Sequence, residues 1–142
     1  GLELEADYLL GEHWQLQASL GLNRTRFERF QDGSADYQGN HAPFAPDLTS
    51  YLGLRYDADS GWFAQAGISG VGRTYLDSAN RYERAGYALL DLSAGYDFEH
   101  LGLSAYVENA TDKRYDAVGY LNGMARVYSE PREIGLRLSY RL

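Results

Sequence analysis

The sequence predicts an all-β fold, an antiparallel up-and-down transmembrane β-barrel segment of about seven strands. Three observations lead to this prediction. Apolar and polar residues alternate in seven stretches, short and long connections take turns between them, and aromatic residues collect beside the short connections. Alternation gives a β-strand one apolar and one polar face. Connections sorted by length are typical of outer-membrane barrels, which turn tightly on the periplasmic side and carry long loops outside.

The predicted strands follow from the alternation in chain order. They cover residues 1–9, 14–22, 48–56, 62–70, 90–96, 101–107 and 134–142. Their apolar faces are Leu2, Leu4, Ala6 and Tyr8; Trp14, Leu16, Ala18, Leu20 and Leu22; Leu48, Leu52, Leu54 and Tyr56; Trp62, Ala64, Ala66, Ile68 and Gly70; Leu90, Leu92, Ala94 and Tyr96; Leu101, Leu103, Ala105 and Val107; and Ile134, Leu136, Leu138, Tyr140 and Leu142. The third strand is the least regular, because Ser50 interrupts its apolar face. No stretch has helical periodicity.

Strands 1–2, 3–4 and 5–6 are joined by the short turns "LGEH", "DADSG" and "DFEH". The other connections are long and polar, and the longest runs through residues 29–47. A soluble β-sandwich has no physical reason to sort its connections in this way. The alternation of length therefore favours a membrane barrel over a soluble sheet.

Aromatic residues predict where the membrane surfaces lie. Trp14 and Trp62 directly follow a short turn, and further rings lie just before or within one: Tyr8, Tyr56, Tyr96 and Phe98. Such a row resembles an interfacial girdle. A second girdle is expected about 9–11 residues further along the strands; the residues found there are Phe27, Tyr75, Tyr87, Tyr115 and Tyr128. The alternative is that these rings are strand formers of a soluble protein.

The polar faces suit a wet lumen or a polar plug, because they hold small neutral residues and few charges. We therefore expect lipid contact for Leu16, Leu20, Leu52, Ile68, Leu92, Leu103 and Leu138, with Leu103 near the middle of the membrane. The expected lumenal residues are Gln17, Gln65, Ser93, Ser104 and Arg137. On the first strand, Glu3, Glu5 and Asp7 are expected to pair with inward arginines such as Arg55, Arg137 or Arg141, or with a plug.

Composition excludes several other classes. The net charge of -7 and the lack of a basic cluster argue against a nucleic-acid partner. There is no cysteine, and the three histidines lack zinc-ligand spacing, so neither a metal site nor a cofactor is predicted. No serine lies in a Gly-x-Ser-x-Gly turn, so the protein is not expected to be an enzyme. No apolar run reaches the roughly 18 residues of a membrane-spanning helix. The first residue is Gly1 rather than methionine, which we interpret as a piece of a longer protein.

Two segments resemble a known family. "VENATDKRYD" (107–116) and "YSEPREIGLRLSYRL" (128–142) resemble the last strands of TonB-dependent outer-membrane receptors. The family's Asn-x-x-Asp-x-x-Tyr element matches Asn109, Asp112 and Tyr115, and its Pro-Arg pair matches Pro131 and Arg132. Residues 39–56 and 61–67 also look like the family's later strands. One departure is the last residue, Leu142, where the family usually has Phe or Trp.

The resemblance implies a 22-stranded barrel around an N-terminal plug. It also implies active uptake of a scarce ligand, with a ferric siderophore favoured, energised through TonB. Plug and TonB contact are not in this sequence, so residues 1–142 are expected to be one partial domain, about the last third of a barrel in a Gram-negative outer membrane. The alternative is a small outer-membrane barrel or surface adhesin with ligand-binding loops.

Two groups of loop residues are predicted to bind partners. A ferric siderophore is expected to contact Tyr37, Arg81, Tyr82, Arg84, Tyr120 and Arg126, because arginine pairs with anionic oxygens and tyrosine stacks on rings. Lipopolysaccharide phosphates are expected to contact Arg24, Arg26 and Arg132, which continue the outward faces beyond the hydrocarbon. For this second group the alternative is an ordinary solvated rim of charges.

Overall fold

The computed structural model describes residues 1–120 and 125–140 and contains strands only. The strands are β1 (Leu2–Leu10), β2 (Trp14–Leu22), β3 (Gln31–Asp32), β4 (Ala35–Asp36), β5 (Leu48–Asp57), β6 (Trp62–Val71), β7 (Thr74–Tyr75), β8 (Glu83–Arg84), β9 (Tyr87–Asp97), β10 (Leu101–Glu108), β11 (Asp116–Tyr120), β12 (Ala125–Tyr128) and β13 (Glu133–Tyr140). Within the described ranges, no helix is long and apolar enough to cross a membrane.

One antiparallel sheet contains all seven long strands, in the order β1-β2-β5-β6-β9-β10-β13. The predicted all-β, up-and-down arrangement is confirmed, and most predicted strand bounds lie within one residue of the observed ones. The sheet is open, with β1 and β13 at its two edges. Arg141 and Leu142, which the sequence places in the last strand, lie outside the described residues.

Cross-strand register keeps the two faces of the sheet separate. One row of directly opposed residues crosses it in the order Leu16, Leu54, Ala66, Leu92, Val107 and Ile134. The adjacent row is Gln15, Arg55, Gln65, Ser93, Tyr106 and Gly135. Opposed residues of an antiparallel pair point to the same side, so the predicted outward and inward residues do lie on opposite faces.

The apolar face is not covered by any other part of the described chain. Leu52, Ile68 and Leu138 are 51%, 49% and 69% exposed. Among described residues, Leu76 is the one large apolar side chain below a tenth exposed, and it lies in a loop rather than under the sheet. A contiguous apolar face of this size needs an apolar environment outside the chain.

On the polar face, aromatic rings lie flat across glycines. Tyr51 covers Gly67, where an added Cβ would come within 2.9 Å of the tyrosine oxygen. An added Cβ at Gly95 would come within 2.8 Å of the Phe63 ring and within 2.5 Å of the Leu103 carbonyl oxygen, and the Arg55 guanidinium carbon lies 4.4 Å from the Phe63 ring centroid. The glycines are therefore needed for close approach of the rings, which shield an otherwise bare backbone.

The predicted pairing of Arg55 with the carboxylates of the first strand is wrong. Arg55 binds Asp57 on its own strand, and its Nη2 lies 2.6 Å from an Asp57 oxygen. Residues two apart on one strand point to the same face, so this nearby partner competes with the distant β1. Arg137, for which a β1 partner was also expected, lies over the Tyr106 ring at 5.4 Å.

Candidate functional site

Three long connections leave the same end of the sheet. We name them loop A (residues 23–47), loop B (72–86) and loop C (109–132). Each contains a short hairpin: β3–β4, β7–β8 and β11–β12, respectively. Sequence alternation did not predict these hairpins, because strands of two to five residues carry too little of the pattern. They extend the loops away from the sheet and give each loop internal structure.

The opposite, short-turn end carries the predicted aromatic row. Trp14 packs on Tyr56 with ring centroids 4.8 Å apart, and Trp62 packs edge-on against Tyr96 at 5.1 Å. Phe98 extends the row from Tyr96 at 4.6 Å. These pairs fix one level across four neighbouring strands, as an interfacial girdle requires.

The second predicted girdle is wrong for Tyr87. Tyr87 lies directly opposite Val71, which points to the same side of β6 as Gln65 and Ser69. Tyr87 is therefore on the polar face. Its ring stacks on Tyr115 of loop C, with centroids 3.7 Å apart and an interplanar angle of 11°. Phe27 contacts Phe30 at 4.7 Å inside loop A, and Tyr75 contacts His41 at 5.4 Å between loops. Aromatic content alone did not distinguish rings that hold loops together from rings that face lipid.

Loops A and B are joined by reciprocal hydrogen bonds. The backbone N–H of His41 donates to Asn80 Oδ1 at 2.7 Å, and Asn80 Nδ2 donates back to the His41 carbonyl at 2.9 Å. Asn40 Nδ2 donates to the Ser78 carbonyl at 2.9 Å, and the Phe44 N–H donates to the Tyr75 carbonyl at 2.8 Å. Because these bonds use backbone groups on both sides, the two loops have one fixed relative position.

Asp77 fixes the tip of loop B. Its side chain is 7% exposed and accepts hydrogen bonds from the backbone N–H groups of Arg81 and Tyr82, both at 2.9 Å. Leu76 beside it is also 7% exposed. A buried carboxylate that accepts two N–H groups is a strong local constraint. The turn therefore presents Arg81, whose side chain is exposed, and Tyr82, which is half-buried, from a defined backbone.

Arg84 joins loop B to loop C. Its guanidinium carbon lies 5.2 Å from the Tyr87 ring and 5.8 Å from the Tyr115 ring, on the edge of the tyrosine stack. Its Nη1 donates to the carbonyl of Asp116 at 3.3 Å. The guanidinium packs against the ring edges and donates a charge-assisted hydrogen bond at this point. The Nε of Arg84 is buried and has no hydrogen-bond partner among the described residues.

The family-type element closes the turn that begins loop C. Asn109 is 7% exposed and has a positive φ of 48°. Its Oδ1 accepts from the Lys113 N–H at 2.8 Å, and its Nδ2 donates to the Lys113 carbonyl at 2.9 Å. Asp112 Oδ1 accepts from the Arg132 N–H at 3.0 Å, directly after Pro131. The sequence motif therefore has a structural role, since it joins the end of β10 to the approach to β13.

The remaining predicted ligand residues are spread over the loop layer. Tyr37 lies in the loop A hairpin, with its ring 5.5 Å from Phe30. Arg126 is paired with Asp116 at 3.0 Å across the loop C hairpin. Tyr120 ends β11, and its side chain lies outside the described part of the structure. Neither Arg81 nor Arg84 has an ion-pair partner among the residues described, and Arg81 is the exposed one of the two.

The predicted lipopolysaccharide residues differ in how they are engaged. Arg24 is exposed. Arg26 donates from Nη1 to the Gly39 carbonyl at 2.6 Å, and Arg132 donates from Nη1 to the Ala110 carbonyl at 3.4 Å. All three are surface residues at the long-loop end. A guanidinium has five donors, so Arg26 and Arg132 still have donors available for an anion.

Sequence reasoning missed Asp77 and Asn80, which hold the loop layer together. Their signal was weak but present, because the segment 77–80 reads Asp-Ser-Ala-Asn, and Asp, Ser and Asn are turn-forming residues. Asn80 adopts a positive φ of 55°, which asparagine tolerates better than most residues. In the described ranges, no three His, Asp or Glu side chains are arranged to hold a metal ion.

Comparison with known proteins gives consistent results. Residues 1–110 match the family model described as TonB dependent receptor-like, beta-barrel. The pesticin receptor of Yersinia pestis is 31% identical over 134 residues, which are 89% of this chain and 19% of that protein. The ferrioxamine receptor of Yersinia enterocolitica is 32% identical over 127 residues, 84% of this chain and 18% of that one.

The solved structure of the ferric yersiniabactin uptake receptor of Yersinia pestis superposes with a TM-score of 0.82 and 26% identity. The match covers 97% of this chain and 22% of that receptor. The chain thus spans about a fifth of the length of the proteins it matches.

Proposed function

Since the chain belongs to the TonB-dependent receptor family, whose members lie in the outer membrane of Gram-negative bacteria, we propose that it forms part of the barrel wall and outer loops of a ferric-siderophore uptake receptor. The names of two matched proteins, a ferrioxamine receptor and a ferric yersiniabactin uptake receptor, support this proposal. The observation in the chain itself that carries it is the layer of loops A, B and C, in which hydrogen bonds fix arginine and tyrosine at one end of the sheet.

Family membership also implies what surrounds these strands in the whole receptor. Residues 1–142 are one partial domain of the barrel, and β1 and β13 each need a further strand on their open side. The lumen would hold an N-terminal plug, and TonB would supply energy through a segment outside this chain. The relatives are named as receptors, so neither a catalytic role nor a nucleic-acid partner is proposed. Nothing in their names favours the alternative of a small barrel or adhesin.

We assign different tasks to Arg81 and Arg84, two of the three arginines of loop B. Arg81 is exposed on a turn that Asp77 holds in place, so its guanidinium is available to the oxygens of an anionic iron complex. Tyr82 beside it offers a ring for stacking. Arg84 is engaged with Tyr87, Tyr115 and the loop C backbone. It therefore acts as a positioning residue that keeps loop C, with Tyr120 and Arg126, against loop B.

We predict that replacing Arg81 and Arg84 with alanine weakens ferric-siderophore binding more than about tenfold, or about 1.4 kcal/mol. The measurement is equilibrium binding of the iron complex to the intact receptor in detergent. The single Arg81→Ala variant should lose affinity without movement of loop C. The matched control is Arg73→Ala, which removes the same charge from loop B at a residue paired with Glu83 at 3.6 Å. Wild-type affinity in the double variant, with the fold intact, contradicts the assignment.

A further prediction concerns the outer leaflet. The Arg24→Ala, Arg26→Ala double variant should retain less lipopolysaccharide than wild type in native mass spectrometry of the intact receptor, because two guanidinium groups that can pair with phosphates are gone. The control is the Arg29→Ala, Arg73→Ala double variant, which changes the net charge equally. Equal retention in the two double variants would show that overall charge, and no specific contact, holds the lipid.

A further inference from the structure

A groove with a volume of about 600 Å³ lies on the apolar face of the sheet. Its floor consists of alanines, and Ala64, Ala94 and Ala105 lie directly opposite one another on β6, β9 and β10. Larger side chains form its two walls, among them Trp14 and Leu54 on one side and Ile134 on the other. The groove exists because three neighbouring strands have only a methyl group at a level where the walls have large side chains.

The depth of the groove in the membrane follows from the aromatic row. Trp62 and Tyr96 belong to that row, and Ala64 and Ala94 are each two residues further along the same strands. Two residues of an extended strand span about 7 Å. Half of the hydrocarbon core is about 15 Å thick. The floor therefore lies in the leaflet next to the short turns, which in this family is the periplasmic leaflet.

The short turns below the groove carry negative charge. Residues 11–13, 57–61 and 97–100 contain Glu12, Asp57, Asp59, Asp97 and Glu99, two histidines, and no lysine or arginine. Asp57 is paired with Arg55. The Asp59 side chain is 94% exposed, with its Oδ1 3.8 Å from His13 Nδ1, and it lies in the turn between β5 and β6, the strands that supply Leu54 and Ala64 to the groove. A carboxylate at this level repels an anionic headgroup and attracts an ammonium group.

We propose that this groove holds an acyl chain of a periplasmic-leaflet phospholipid whose headgroup carries an ammonium group, and that Asp59 pairs with that ammonium. The residues that line the groove make apolar contacts along the acyl chain. The Trp14–Tyr56 pair lies at the level where the acyl chain joins the glycerol and headgroup of the lipid. Selection between lipids comes from the turn charges, because an acyl chain alone does not distinguish one headgroup from another.

The test uses the intact receptor, purified in detergent and titrated with phosphatidylethanolamine or phosphatidylglycerol of identical acyl chains, with bound lipid counted by native mass spectrometry. Wild type should retain the ethanolamine lipid at least about threefold better. Ala94→Leu should reduce retention of both lipids, because the added side chain fills the floor. Ala88→Leu is the matched control, on the same strand and face but outside the groove, and it should retain lipid as wild type does.

Asp59→Asn separates the headgroup contact from the acyl contact. It should remove the preference between the two lipids and leave the retention of phosphatidylglycerol equal to or above that of wild type. The proposal is overturned if Ala94→Leu and a second floor variant, Ala105→Leu, both retain lipid as Ala88→Leu does. It is also overturned if wild type shows no headgroup preference, or if a receptor dimer that Ala94→Leu abolishes is found instead of bound lipid.

Discussion

Arginine in place of Ile68 should lower the free energy of unfolding by about 2–4 kcal/mol, the cost of a cation at the bilayer midplane on the lipid side of a barrel. Ile68 is 49% exposed on the apolar face, opposite Leu52 and Leu90. It is six residues beyond Trp62 on β6. With about 3.3 Å per residue and a strand tilt of about 40°, this places it roughly 15 Å from the aromatic row, near the middle of the membrane.

The same substitution at Leu103 should cost only about 0–1 kcal/mol, as it does near the interface. Leu103 is the third residue of β10, and two residues from the start of that strand correspond to about 5 Å of depth with the same rise and tilt, so it lies close to the short-turn surface of the membrane. The expectation that Leu103 is near mid-membrane is therefore wrong. Leu103→Arg thus serves as the control for Ile68→Arg, since both put an arginine on the same face.

The measurement is denaturant unfolding of the intact receptor in phospholipid vesicles, followed by tryptophan fluorescence. Spin labels provide an independent check, because a label at Ile68 should meet a lipid-soluble quencher and a label at Ser69 should not. Equal costs for the two arginine variants would mean that the aromatic row does not mark the membrane surface. Quencher access at Ser69 would contradict the assignment of the faces.

The long strands could be predicted from sequence because each face of a strand has a single environment. Leu16 and Leu92 lie on the apolar face, and Gln15 and Ser93 lie on the polar face. The period of two therefore repeats along each of these strands. Register between strands leaves no such trace in the sequence. The failed predictions for Leu103 and Arg55 did not depend on register, however. Leu103 is only two residues from the start of β10, and Arg55 binds Asp57 two residues along its own strand, so both outcomes are local.

The loop layer was less predictable, because its contacts join residues that are far apart in the chain. Asn80 binds His41, 39 residues away, and Tyr87 stacks on Tyr115. Composition indicated that arginine and tyrosine collect in the loops. It could not show that Arg84 faces the tyrosine stack while Arg81 is exposed. The family element was found from sequence, and only the structure gives it a physical role.

Alanine in place of Asn109 should lower the free energy of unfolding by about 2–5 kcal/mol. The side chain bonds both the N–H and the carbonyl of Lys113 and reaches the Glu130 carbonyl at 3.4 Å. Leaving buried backbone groups unpaired costs about 1–3 kcal/mol. The positive φ of 48° adds about 1–2 kcal/mol for a residue that avoids this conformation, as alanine does.

Asn109→Gly separates these two contributions, because glycine accepts a positive φ without strain and still lacks the amide. We expect it to be less destabilised than Asn109→Ala by about 1 kcal/mol, again by denaturant unfolding of the intact receptor. Loop C should become more sensitive to protease in both variants, because Asn109 ties the end of β10 to the segment before β13. If Asn109→Ala unfolds within about 0.5 kcal/mol of wild type, the element does not hold loop C in place.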